Sequence, residues 1–98
     1  MGWIVLLEDE NKVEVSSLNN EFIIESFNTI INSVELKLVK YLDPYGDTVF
    51  NNFQMNDLIN DLENIAKIEP ENKLINEVIL LAKCCLSQAH LYLVFYGD

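Results

Sequence analysis

The sequence predicts an α+β domain: a small, mostly antiparallel sheet in the order β-β-α-β-α-α-β, with three helices packed on one face. Three observations predict it. Half of the 98 residues are hydrophobic, with only three glycines and two prolines, the composition of a folded core and not of a disordered chain. Short apolar runs rich in β-formers stand near both ends, W-I-V-L-L-E at Trp3–Glu8 and H-L-Y-L-V-F-Y at His90–Tyr96. Between them, apolar residues recur at intervals of three and four, the period of a helix. The length suits a single domain, 1–98, with one core that needs neither disulfide nor metal.

The elements follow in order. Trp3–Glu8 and the alternating Val13-Glu14-Val15 form a hairpin around the polar loop Asp9–Lys12. Asn19 is placed to cap a first helix, with Leu18 stapling onto Ile23. Ile23, Phe27, Ile30 and Val34 then fall on one helical face, although the β-branched content of this stretch argues for strand. Leu36–Leu42, L-K-L-V-K-Y-L, alternates as a strand does. Asp43-Pro44-Tyr45-Gly46 matches a type I turn, with Asp at the first position, Pro at the second and Gly at the fourth. Thr48–Phe50 reads as a short returning strand. Asn51 with Gln54 three residues on is a capping box for the second helix, and Phe50 can staple onto Met55.

That helix turns Met55, Leu58, Ile59, Leu62 and Ala66 to the core. Asn56, Asp57, Asn60, Asp61, Glu63 and Asn64 are read as its wet side. Glu69-Pro70 ends it, and Pro70 suits the first position of a third helix. Leu74, Val78, Leu81 and Cys85 form the third helix's stripe, widened by Ile75, Ile79, Ala82 and Leu86. Leu80 and Cys84 fall outside that stripe. The last strand has Leu91, Leu93 and Phe95 on one side and Tyr92, Val94 and Tyr96 on the other. A strand apolar on both sides belongs inside its sheet.

Charge narrows the partners. Sixteen acids face six lysines and no arginine, a net charge of −10. The lysines are scattered singly, so nucleic acid and anionic membrane are poor partners. A basic protein is the better match, because opposite fields speed encounter. The N-terminus lacks a basic leader region and meets acids after seven residues, and no apolar run is long enough to span a bilayer. The expected location is the cytoplasm.

No reactive cluster is legible. Cys84 and Cys85 are neighbours, about 100° apart on a helix, and cannot readily bridge each other. With His90 they supply three zinc-type ligands in poor geometry. A catalytic set would need His90 oriented by Asp43 or Asp47 with Cys84 attacking, and no spacing favours that. An EF-hand starting at Asp43 fails, with Thr48 at its sixth position and Gln54 at its twelfth. No catalytic residue, metal or cofactor is expected.

The candidate binding residues are therefore surface ones. Tyr45, at the turn tip between Asp43 and Asp47, suits a basic and partly apolar partner. Asp57 and Asp61, one turn apart, extend the acidic strip. Leu80 and Cys84 make a second candidate surface, for self-association as a homodimer.

The segments D-P-Y-G-D-T-V-F-N (Asp43–Asn51) and H-L-Y-L-V-F-Y-G-D (His90–Asp98), with Gln54, resemble a family of small, acidic, single-domain bacterial proteins without assigned activity. Size and charge also resemble immunity proteins of bacterial toxin systems, which cover the active site of a cognate toxin. That resemblance implies a non-enzymatic inhibitor facing a basic partner. A small homo-oligomeric assembly protein is the alternative.

Overall fold

Trp3, Val5 and Leu7 are fully buried while Ile4 is exposed, so the first strand has an inner and an outer face from its second residue on. The computed structural model describes residues 2–97 and measures 35 × 26 × 21 Å. Its elements are β1 (Gly2–Asp9), β2 (Glu14–Ser17), β3 (Phe22–Ile23), α1 (Phe27–Ser33), β4 (Asp47–Asn51), α2 (Met55–Ile68), α3 (Leu74–Leu86) and β5 (Leu91–Tyr96). The protein is α+β, with an antiparallel sheet in the spatial order β2-β1-β5-β4 and β3 also paired to β1. The chain order is the predicted β-β-α-β-α-α-β, with β3 as an added short strand. β5, apolar on both sides, lies inside the sheet between β1 and β4.

The first helix begins later than its spacing suggests. Leu18 donates its N–H to the Val5 carbonyl at 3.0 Å, and Phe22–Ile23 pairs with Gly2–Trp3. The chain thus keeps following the edge of β1 past Ser17, and Asn19 caps nothing. Phe22 and Ile24 are buried two residues apart, a strand period. The β-branched residues there obey their own preference, and α1 keeps only the part of the stripe from Phe27 onward.

The expected strand at Leu36–Leu42 is the other departure. Leu36, Val39 and Leu42 are the buried residues, an interval of three rather than two. Val39–Tyr41 forms a 3₁₀ turn. The cause is Asp61, which is not on the wet side of α2 but only 1% exposed. Its carboxylate accepts the backbone N–H groups of Lys37 at 3.1 Å, Leu38 at 2.7 Å and Val39 at 3.0 Å. Those amides cannot join a ladder while they bind Asp61. The returning strand at Thr48–Phe50 takes the vacated place in the order, lengthened to Asp47–Asn51 as β4.

The turn into β4 is fixed from three sides. Asp43 accepts the Tyr45 N–H on its side chain at 2.9 Å and the Gly46 N–H on its carbonyl at 3.3 Å. The Trp3 indole donates to that same carbonyl at 3.0 Å. Gly97 donates to the Gly46 carbonyl at 2.8 Å. A Cβ at Gly97 would meet the carbonyl oxygens of Asp43, Pro44 and Gly46 within 2.7 Å, so only glycine lets position 97 lie against this turn.

The capping box opens the next helix as expected, with Gln54 Oε1 accepting the Asn51 N–H at 2.9 Å, through a 3₁₀ turn that leads into α2. α3 starts at Leu74, so Pro70 sits in the connecting turn and not at a helical first position. Helices α2 and α3 pack against each other, and α3 lies on β5 and β1. Trp3 joins this side to α1 through an edge-on contact with Phe27 at 5.2 Å. Among the described residues no helix is long and apolar enough to cross a membrane.

Candidate functional site

With the helices on one side, no element among the described residues covers the other face of the sheet. Its side chains form three cross-strand rows. The first is Asp47, Tyr96 and Ile4. The second is Val49, Val94, Leu6 and Ser17. The third is Asn51, Tyr92, Glu8 and Glu14. Such rows interact directly, because facing side chains stand about 5 Å apart.

The face is partly closed by its own polar groups. The Tyr96 hydroxyl donates to Glu8 Oε2 at 2.5 Å. These residues come from the first and third rows, four positions and about 13 Å apart along the strand. The Tyr96 ring therefore lies along the sheet across the middle row, and Glu8 reaches back to meet it. This explains why Val94 is 2% exposed and Glu8 7% exposed on a face with no helix over it. Glu8 stands opposite the like-charged Glu14 of β2, at a point where the β1–β2 register slips. The hydrogen bond to Glu8 is the main reason the Tyr96 phenol is pushed up to about 12; burial and the charges of Glu8 and Asp47 add to it.

Beside this lid a cavity of about 310 Å³ opens, floored by Val49, Val94 and Tyr92 and rimmed by Glu10, Lys12 and Asp47. Lys12, in the hairpin loop, has φ of 64°. Asp9 holds that loop by accepting the N–H groups of Asn11 at 2.8 Å and Val13 at 3.0 Å. Ile4 and Val49, each 57% exposed, flank the lid. The arrangement is an apolar floor within a mainly acidic rim, a surface chemically suited to a cationic group carried on an apolar stem.

The predicted residues do not form one surface. Asp43, Tyr45 and Asp47 gather at the turn and the start of β4, and Asp47 continues onto the open face. Asp57 stands on α2, beyond the opposite face, where it pairs with Lys37 at 3.5 Å. Asp61 is a buried anchor for backbone amides and offers nothing to a partner. Leu80 and Cys84 are exposed one turn apart on α3. The neighbouring Cys85 thiol is buried and pushed up to about 11, chiefly by that burial. His90 is exposed just before β5, while Asp43 and Asp47 lie near its far end. The six residues of β5 separate them by about 20 Å, so these groups are not brought together. Among the described residues, no three metal-ligating side chains stand close enough to hold an ion.

A second cleft, between the β3–α1 corner and the α2–α3 turn, collects Glu21, Glu25, Glu69 and Glu71. Glu69 there accepts the Ser26 N–H at 2.9 Å and the Asn72 amide at 3.0 Å, and Asn72 also donates to the Ile23 carbonyl at 2.7 Å. Glu69 thereby ties the α2–α3 turn to the start of α1, and Asn72 ties it to β3.

The open face was missed as a site although its signal was present. The first strand reads as a continuous apolar run and the last as apolar on both sides, and the helices were expected on one face. Together these imply a second apolar face left open. No family model, no curated protein and no solved structure matches this chain.

Proposed function

We propose that the protein is a non-enzymatic protein-binding module, an immunity-type inhibitor that presents an acidic surface to a basic partner. The observation that carries this reading is the open sheet face: Ile4 and Val49 stand exposed on it, and Val49 floors a cavity rimmed by Glu10 and Asp47. The net charge of −10 supports it, since a field of one sign draws in a partner of the other. The apolar floor supplies contact area, and the acidic rim supplies orientation.

The test is capture from the native host's lysate at low ionic strength, followed by titration of the purified chain against the recovered protein. The expected partner is basic. Its affinity falls about tenfold or more as salt rises from about 0.1 M to 0.5 M, where surface charges are screened within a few ångströms. The charge reversals Asp47→Lys and Glu10→Lys weaken it further. An affinity indifferent both to salt and to these reversals rejects the reading.

Leu80 and Cys84 favour a second reading, self-association through α3, because both are exposed on one side of that helix. Light scattering on the wild type and on Leu80→Glu separates the two. A dimer that Leu80→Glu converts to a monomer supports the second reading.

A further inference from the structure

We propose that the free edge of β4 takes up an extended segment of the basic partner as an added strand. This rests on the binding-module reading and names the element that the partner's main chain meets.

The register fixes which backbone groups of β4 are free. Gly97 donates to the Gly46 carbonyl, so that pair belongs to the hydrogen-bonded set. In an antiparallel ladder the hydrogen-bonded pairs alternate, which assigns Thr48 and Phe50 to the same set and turns Asp47, Val49 and Asn51 outward. An independent contact agrees: the Asn51 N–H is taken by Gln54, outside the ladder. The N–H and C=O groups of Asp47 and Val49 therefore point away from the sheet. The main packing partner of β4 is β5 alone.

Sheet edges are ordinarily guarded by bulges, prolines or lysines. β4 has no bulge, proline or lysine, its one charge is Asp47, and its register with β5 is unbroken. The two most exposed large hydrophobic side chains among the described residues flank it: Tyr45 at 74%, two residues before, and Phe53 at 88%, two residues after. A strand laid on this edge would have an aromatic ring at each end. Main-chain bonds at an edge give affinity, and side chains beside it give selectivity. The selecting charge is Asp47, with which no lysine forms an ion pair among the described residues. A second copy would bring its own net charge of −10 to the same edge. Charge thus favours an extended basic segment as the occupant.

The experiment follows amide exchange by NMR in the full ¹⁵N-labelled chain, with two probes: a capped Lys-Val-Lys-Val-Lys peptide and its Glu-Val-Glu-Val-Glu counterpart. At about 1 mM, the lysine peptide is expected to slow exchange at Asp47 and Val49 by about tenfold, and the glutamate peptide to leave both unchanged. Val49→Pro removes an outward N–H without touching the β4–β5 ladder, so the fold stays and peptide binding is lost. If that variant does not fold, Val49→Lys is read instead, and it weakens the lysine peptide about tenfold by like-charge contact. No slowing at Asp47 and Val49 overturns the proposal. So does binding that survives the Val49 substitution. A wild-type dimer that Val49→Pro abolishes gives the edge to a second copy and also overturns it. If the captured basic protein binds Val49→Pro at full strength yet still responds to Asp47→Lys and Glu10→Lys, the edge inference fails and the binding-module reading stands.

Discussion

The two faces of the sheet are built from the same strands and end differently. On the inner face Trp3, Val5, Leu7, Leu93 and Phe95 are fully buried beneath the helices. On the outer face Ile4, Leu6, Val49 and Val94 alternate with them, and the cover is one tyrosine ring held by one glutamate. Each face also uses a carboxylate. Asp61, on the inner side, accepts three backbone amides and shapes the chain. Glu8, on the outer side, accepts a phenol and shapes a surface. The comparison teaches that stability is concentrated where carbon is covered by helices. The outer face leaves apolar area exposed and only half lidded.

The strongest way to break the comparison is at Asp61. Asp61→Ala deletes three hydrogen bonds to a buried carboxylate and leaves buried N–H groups without partners. It is expected to cost about 3 kcal/mol or more, a melting point lower by about 15 °C for a domain of this size. Asp61→Asn should cost less. Its one remaining oxygen can keep the Leu38 and Val39 bonds that Oδ2 now accepts, losing the Lys37 bond to Oδ1. Thermal and urea unfolding of the two variants checks the order. An alanine variant as stable as the wild type would show that the 36–42 segment is held by its leucines alone.

Asp61 also marks where sequence reasoning stopped. The outline was legible because it rests on local signals: apolar runs of β-formers in β1 and β5, the capping box at Asn51, the proline turn, and the stripes of α2 and α3. Asp61 was read as solvated because aspartate usually is. Yet Leu58, Asp61, Leu62 and Ile65 fall at i, i+3, i+4 and i+7, so it stands within the buried stripe. An acid in that place asks which donors would satisfy it. Three consecutive amides of the Leu36–Leu42 segment answer, and no periodicity could pair them with a residue more than twenty positions away. The Phe22–Ile24 stretch failed for a related reason. Its edge position against β1 decided between two periods that the side chains themselves allowed. Of the candidate site, the turn with Tyr45 and Asp47 was legible from its polarity. The open face required knowing that nothing covers it.

A sharper comparison comes from the lid. Tyr96→Phe leaves Glu8, largely buried, without its hydrogen bond, at an expected cost of about 1–2 kcal/mol. The pH dependence has a definite sign. An unfolded tyrosine ionises near pH 10, whereas Tyr96 holds its proton up to about 12 in the folded chain. Between those values the folded state binds more protons, so stability falls as pH rises from about 10 through 12, and the whole contribution is present below that window. Tyr96→Phe should flatten that part of the profile. Ultraviolet titration should show the phenol that ionises at about 12 missing from the variant. An unaltered high-pH slope would mean that the lid is open in solution.

The smallest effect on stability is expected at Ile4, and its smallness is the point. Ile4 neighbours the fully buried Val5 in sequence, yet it is more than half exposed at the margin of the open face. Ile4→Ser removes apolar surface that the fold does not cover, so unfolding should shift by no more than about 0.5 kcal/mol. The same substitution takes away exposed apolar area at the margin of the face offered to a partner. Affinity for the captured basic protein should fall about fivefold or more, the loss of one moderately buried interface side chain. Equilibrium unfolding and binding titration on one preparation measure both. A stability loss as large as the binding loss would mean that the outer face is core after all; a loss of neither would move the partner to the β4 edge and its flanking rings.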